Sequence, residues 1–156
     1  VICLNISTRE RYWEGINPPL LEQLVKVAAT LCYHGIQDGY SVGLISNGCL
    51  VHADQPFRLA PGRSPHQLSR LLGLLAGVSP FTVGPFDQYL LRSMTDLPFG
   101  ATVVIVTGIM TSSLSATLLR LKRYRRHMTL VTLSKDIPEE LPGITTLHLP
   151  FQEGPS

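Results

Sequence analysis

The chain has 156 residues and a net charge of +2, and charged residues make up 15% of it, below the roughly 25% of an average soluble domain. This composition excludes a disordered tail, because 44% of the residues are hydrophobic and can supply a core. It also excludes a strongly basic nucleic-acid binder by bulk charge and, since no apolar run reaches about 18 residues, a membrane-spanning helix. The low charge predicts that part of the surface meets the rest of a longer protein, a partner or a membrane-proximal neighbour.

The first 60 residues predict three strands and one helix. Asn17 is followed by two prolines, which is typical of a helix N-cap and first turn, and Gly35 or Gly39 is expected to end that helix. Asn47-Gly48 predicts a tight turn between the second and third strands. The predicted elements are a strand over 1–6, a loop over 7–15, the helix, a strand over 40–46 and a returning strand up to about Leu59.

The remaining residues alternate between helical and strand patterns. The run from Ser64 to Gln67 predicts a capping box with proline at the first helical position. Leu68, Leu71, Leu72 and Leu75 then form a buried stripe at helical spacing. The elements that follow are a loop over 79–85, a helix from Phe86 to about Leu97, a strand over 101–107, a helix over 112–126, a strand over 128–133, at most one helical turn over 136–141 and a final strand over 145–149.

This alternation predicts a single α/β domain over 1–156. Buried strands that alternate with helices favour a doubly wound, mostly parallel sheet with helices on both faces. The hairpin predicted around Asn47-Gly48 places one antiparallel strand at the edge of that sheet. The chain also begins at Val1, without Met and directly in a predicted strand, so we expect it to be a piece of a longer protein.

The three cysteines carry no redox or metal motif. Cys3, Cys32 and Cys49 show no CxxC spacing and lie in apolar surroundings, so they are expected to be reduced, buried side chains of a reducing compartment. The five histidines show no HxxxH or HxxE pairing, which argues against zinc. No phosphate-binding glycine motif occurs either, and no cofactor is predicted.

Several short motifs, taken in order, resemble a known bacterial family. They are NIST after the first strand, WEGINPPLLE at the start of the helix, GLISNG in the second strand, RLAPGRSPHQL and the strand ATVVIVT. Their order and spacing from Val1 to about Ser134 resemble the domain-of-unknown-function 58 family, whose C-terminal half is a von Willebrand factor A-like domain. The acidic signature of that family would lie upstream of the first strand.

The resemblance carries expectations about cellular context. It implies membrane-spanning segments in a part of the protein outside this chain, a place for this soluble fragment on the cytoplasmic side of the membrane, and a link to a MoxR-type AAA+ ATPase. The expected function is therefore that of a non-enzymatic protein-interaction module, an adaptor with a protein partner and no nucleic acid.

The resemblance also identifies positions for a divalent cation. Von Willebrand A domains bind the ion with an Asp-x-Ser-x-Ser loop, and the matching positions here are Asn5, Ser7 and Arg9. Thr82 would match a threonine from a later loop, and Thr107 stands where the family has a second aspartate. Since Mg²⁺ prefers carboxylate ligands, the sequence predicts a degenerate site without a metal.

Catalytic patterns are weak. Ser46 lies in a segment similar to a nucleophile elbow, and a triad with His52 and Asp54 can be drawn, but structural turn residues are the favoured interpretation. A hydrolase or small-ligand enzyme that uses the crevice at the strand ends remains the alternative function.

Three charged or aromatic groups are candidate binding surfaces. Arg63 and Ser64 are expected to form an ordinary capped helix start, with anion binding there as the alternative. The cations Arg120, Lys122, Arg123, Arg125 and Arg126 are expected to be a solvated helix end, with docking to an acidic partner, anionic lipid or nucleic acid as the alternative. Arg9, Arg11, Tyr12 and Trp13 gather in one polar loop, and we expect them to anchor the partner.

Overall fold

The computed structural model describes residues 1–9, 14–50, 56–82, 84–124 and 127–152, and in positions 56 and 57 the backbone alone. Within these ranges the chain forms seven strands and four α-helices. The strands are β1 (Ile2–Leu4), β2 (Val42–Leu50), β3 (Pro56–Gly62), β4 (Val78–Thr82), β5 (Val103–Thr107), β6 (Met128–Thr132) and β7 (Thr145–His148). The helices are α1 (Pro18–Gln37), α2 (Pro65–Ala76), α3 (Phe86–Ser93) and α4 (Ser112–Lys122), and a 3₁₀ turn (Met94–Asp96) follows α3.

The strands form one mixed, mostly parallel sheet in the order β3-β2-β1-β5-β6-β7. Strand β1 is central and pairs in parallel with both β2 and β5, with Ile2 opposite Leu44 and Val104. The connection after β1 therefore runs to one side of the sheet and the connection after β5 runs to the other. These opposite directions open a crevice at the carboxyl ends of the two strands. This arrangement confirms the predicted α/β class and is compatible with a Rossmann-like fold. Within the described ranges, none of the helices combines the length and hydropathy needed to cross a membrane.

Helices cover both faces of the sheet because neighbouring strand residues point to opposite sides. Leu4 packs with residues of α1 and α2, whereas Cys3 packs with residues of α3 and α4. All three cysteines are buried, as predicted. Burial raises the pKa of the Cys3 thiol to about 12 and that of Cys32 to about 11, so both thiols are protonated at neutral pH.

The predicted turn at Asn47-Gly48 is wrong. Both residues lie inside β2, which continues to Leu50, and residues 51–55 lie outside the described ranges. The local turn preference is overridden because Asn47 is completely buried and its side chain binds the backbone N–H of Ile6. Strand β3 does return antiparallel to β2 at the edge of the sheet, as predicted.

A second antiparallel strand, β4, occupies most of the predicted loop over 79–85. Its register places Thr82 opposite Gly48 and Val78 opposite Leu50, beyond the β2 residues that pair with β1. The exposed Pro80 interrupts the strand pattern in the sequence. Strand β4 exists because β2 is longer than predicted and offers it a partner.

The two predicted helix starts have different outcomes. Asn17 caps α1 as predicted, accepting from the Leu20 N–H at 3.5 Å, and Gly39 follows the helix with a φ of +85°. The capping box at α2 is wrong, since the Ser64 side chain makes no cap hydrogen bond. Gln67 instead donates to the carbonyls of Val42 at 2.8 Å and Ala60 at 2.9 Å, and so ties α2 to β2 and β3.

Candidate functional site

A buried network of neutral side chains lies at the carboxyl ends of β1 and β5, beside β2. Asn5 donates from Nδ2 to Thr107 Oγ1 at 3.0 Å. Asn47 donates from Nδ2 towards Asn5 Oδ1 at 3.3 Å, Ser7 Oγ at 3.1 Å and the Gly84 carbonyl at 3.4 Å. We call Asn5, Ser7, Asn47 and Thr107 the amide network; each side chain belongs to a residue less than 9% exposed.

The amide network also holds the backbone that leaves the strands. Asn5 Oδ1 accepts from the Ser7 N–H and Asn47 Oδ1 accepts from the Ile6 N–H, both at 3.0 Å. Thr107 Oγ1 donates to the Ile109 carbonyl at 2.7 Å. The turns after β1 and β5 are thus tied to side chains in the sheet, because buried backbone groups need partners.

The residues at the positions implied by the metal-binding family do not fit a divalent cation. Asn5 Oδ1 accepts two hydrogen bonds, and Ser7 Oγ and Thr107 Oγ1 each accept at least one, so these oxygens are already engaged. Arg9 is exposed on the first loop, and Thr82 lies half-buried in β4. Nowhere in the described ranges do three His, Cys, Asp or Glu residues group as metal ligands.

We expect calorimetric titration with Mg²⁺ or Mn²⁺ at millimolar concentration to give no saturable heat. Binding would have to break the hydrogen bonds of the amide network and place a cation in the same loop as Arg9, without a carboxylate in return. Ser7→Ala is the matched variant. A saturable heat for the wild-type protein that Ser7→Ala abolishes would contradict this prediction.

Beside the amide network lies the strand-end crevice, a cavity of about 750 Å³. Its wall combines residues that follow four different strands, and Lys135 is the charged residue among those described. The described lining residues are Thr8, Asn17, Leu20, Gly108, Ile109, Leu133, Lys135, Pro150, Phe151 and Gln152. Helix α1 points its amino end here but presents few donors, since Pro18 and Pro19 have no N–H and Leu20 donates to Asn17. The crevice therefore favours a mixed polar and apolar ligand over a phosphate at this helix end.

Gly108 shapes the crevice at the end of β5. A Cβ at this position would lie 3.0 to 3.2 Å from three carbon atoms of the Leu20 side chain. Glycine thus lets the turn after β5 pack directly on the first turn of α1.

Two hydrogen-bonded hydroxyl side chains lie at the carboxyl end of β6. Thr132 Oγ1 donates to Ser134 Oγ, and Ser134 Oγ donates to the Asp136 carbonyl, both at 3.0 Å. His148 Nε2 contacts the Ser134 carbonyl oxygen at 2.7 Å and not its hydroxyl. Ser134 and His148 therefore do not form a nucleophile and base pair in this arrangement.

The catalytic pattern considered in the second strand does not assemble among the described residues. Ser46 is completely buried and its Oγ accepts from the Gly48 N–H at 3.0 Å. His52 and Asp54 lie outside the described residues. Ser46 acts as a structural residue of β2 and not as an exposed nucleophile.

The predicted binding groups lie at two different ends of the sheet. Arg9 lies at the carboxyl ends of the parallel strands, and Arg11, Tyr12 and Trp13 lie outside the described residues. Arg63 and Ser64 follow Gly62, which pairs with Val42 at the start of β2, so they lie at the amino ends. The described part of the basic cluster, Arg120, Lys122 and Arg123, is at the same amino ends, where α4 finishes; Arg125 and Arg126 lie outside the described residues.

Asn47 is the site residue that the sequence reasoning assigned to a turn. The signal that could have located it is the apolar residues on both sides of Asn47, which together span the length of one strand from Val42 to Leu50.

Compared with known proteins, the chain matches no family model, and no curated protein shows significant similarity to it.

Proposed function

We propose that this chain is a non-enzymatic protein-interaction module that binds a partner at the carboxyl ends of its parallel strands without a bridging metal. The amide network is the observation that carries this proposal. At the place where an open α/β sheet usually holds its ligand, the polar side chains bind one another and the turns of their own chain. They support the surface and are not themselves available for chemistry.

The first loop is the element that this support presents to a partner. Its two ends are joined by a hydrogen bond of 2.7 Å from the Asn17 N–H to Thr8 Oγ1. Ser7 and Thr8 are buried, whereas Arg9, the next residue, is exposed. A loop with fixed ends loses less conformational freedom on binding than a free segment of the same length.

The residues within this loop suit protein recognition. Arg9, Arg11, Tyr12 and Trp13 combine guanidinium donors with aromatic area, the residue types that dominate interface hot spots. The exposed Arg9 supplies positive charge where the resembled family would place a cation. We therefore assign the partner-binding role to this loop and an accessory role to the strand-end crevice.

The resemblance to the domain-of-unknown-function 58 family suggests which partner to test. We propose a von Willebrand factor A-like domain that acts as an adaptor for a MoxR-type AAA+ ATPase. Membrane-spanning segments elsewhere in the protein would hold it on the cytoplasmic side of the membrane.

We expect the double variant Arg9→Ala, Trp13→Ala to bind the MoxR-type ATPase of the same organism at least about tenfold more weakly than the wild-type chain. Binding is measured by biolayer interferometry in nucleotide-free buffer with excess EDTA, and circular dichroism checks the fold. Arg123→Ala, at the opposite end of the sheet, is the matched control and should bind like wild type. If the folded double variant binds as tightly as wild type while Arg123→Ala is impaired, the interface lies at the basic helix end.

A further inference from the structure

A second cavity lies between β3 and α3, outside the strand-end crevice. It measures about 360 Å³, and we call it the arginine pocket. Its described lining residues are Arg58, Gly84, Pro85, Tyr89, Arg92, Ser93 and Asp96. Arg58 comes from β3, while the others precede α3, lie on it or belong to the 3₁₀ turn that follows it. Two arginines from different elements thus line one cavity.

The arginine pocket carries a positive charge. Among its described lining residues there are two arginines and one carboxylate, so the formal net charge is +1. Arg58 Nη1 lies 3.3 Å from Asp96 Oδ2. This contact orients the guanidinium but uses one of its five N–H donors, and the others are available to a ligand. Arg92 brings a second planar donor fork to the same cavity.

Tyr89 and Ser93 add neutral hydroxyl groups to the wall. Ser93 is buried while Tyr89 is half-buried. Burial raises the pKa of the Tyr89 phenol, and the positive charges of Arg58 and Arg92 act in the opposite direction. The phenol is therefore protonated at neutral pH and can donate a hydrogen bond.

We propose that the arginine pocket binds a phosphate group, either inorganic phosphate or a phosphate monoester. Such a group carries close to two negative charges at neutral pH and offers several strong acceptor oxygens, which match two guanidinium forks and a phenol donor. A carboxylate carries a single charge and would compete less well with Asp96 for Arg58. The group would come from free phosphate or from a phosphorylated side chain of a partner, and both sources share this chemistry.

This site is independent of the first loop and of the proposed partner. It nevertheless touches the amide network, because the Gly84 carbonyl accepts from Asn47 Nδ2 at 3.4 Å. Occupation of the pocket should therefore shift the backbone amide NMR signal of Gly84 as well as those of Tyr89 and Ser93.

The test is a titration of the isotope-labelled chain, followed by the backbone amide NMR signals at pH 7.5. One arm uses inorganic phosphate, a second uses a phosphoserine peptide, and acetate at equal ionic strength is the control anion. We expect saturable shifts at Gly84, Tyr89 and Ser93 with a phosphate probe and none with acetate. Tighter binding of the peptide identifies a phosphorylated partner as the source, whereas equal or tighter binding of inorganic phosphate identifies the free anion.

Three variants and one control separate specific binding in the arginine pocket from general charge attraction. Arg58→Gln and Arg92→Gln should each weaken phosphate binding about tenfold, because each removes charged donors. Asp96→Asn should strengthen it several-fold, since it removes the competing carboxylate, and Arg70→Gln, on the exposed face of α2, should leave it unchanged. The proposal is overturned if neither phosphate probe gives saturable shifts, if both arginine variants bind like wild type, or if Asp96→Asn binds more weakly.

Discussion

Thr107→Val is expected to lower the free energy of unfolding by about 3 kcal/mol, because it removes a buried hydroxyl that serves three partners. Thr107 is completely buried. Its Oγ1 accepts from Asn5 Nδ2 at 3.0 Å, donates to the Ile109 carbonyl at 2.7 Å and lies 3.4 Å from the Ile109 N–H. Valine keeps the shape of the side chain but leaves the buried Asn5 amide without this partner and removes both contacts to the part-buried backbone of Ile109. Urea unfolding followed by circular dichroism measures the difference.

Thr146→Val is the matched control on β7. The Thr146 Oγ1 atom is buried and has no hydrogen-bond partner in the part of the chain that the structure describes. The same substitution there removes a hydroxyl that is shielded from water and makes no hydrogen bond within the described residues. We therefore expect the free energy of unfolding to stay nearly unchanged or to rise by about 1 kcal/mol. Equal destabilisation by the two variants would show that the amide network contributes nothing specific to the strand ends.

Gly43→Ala is expected to lower the free energy of unfolding by about 3 kcal/mol, because the added methyl group meets the backbone of the neighbouring strand. The new Cβ would lie 2.8 Å from the Leu59 carbonyl oxygen, 2.8 Å from the Pro61 nitrogen and 3.0 Å from Pro61 Cδ. The pairing of β2 and β3 is already irregular between Val42 and Leu44. Since the clashing atoms are mostly backbone, a side-chain rotation cannot relieve them. Urea unfolding measures this change too.

Gly73→Ala offers the same substitution with the opposite expected sign. Gly73 is exposed within α2, and a Cβ there would meet no atom within 4 Å. Alanine is the better helix former by about 1 kcal/mol, so this variant should be more stable than the wild-type chain. If Gly43→Ala is as stable as Gly73→Ala, the close approach of β2 and β3 at Gly43 is not a constraint on the fold.

Local patterns in the sequence determined the class of the fold and part of the site. Buried apolar strands alternate with amphipathic helices, and this alternation is sufficient to predict a mostly parallel sheet covered on both faces. Helix α1 begins after the side-chain cap of Asn17 and two prolines and ends before Gly39, all of which act through local preferences. Asn5, Ser7 and Thr107 could be placed at one end of the sheet because each follows or ends a strand that runs in the same direction.

Other features were decided by contacts between distant parts of the chain. Asn47-Gly48 favours a turn by itself, but a buried place beside β1 and pairing with β4 hold it in an extended strand. Gln67 was assigned to its own helix end, yet it binds carbonyls of β2 and β3. The arginine pocket joins Arg58 and Arg92, which are 34 positions apart and carry no motif in the sequence. Hydrogen bonds and charges of this kind depend on which strands become neighbours, and short-range preferences worth about 1 kcal/mol yield to them whenever burial requires a partner.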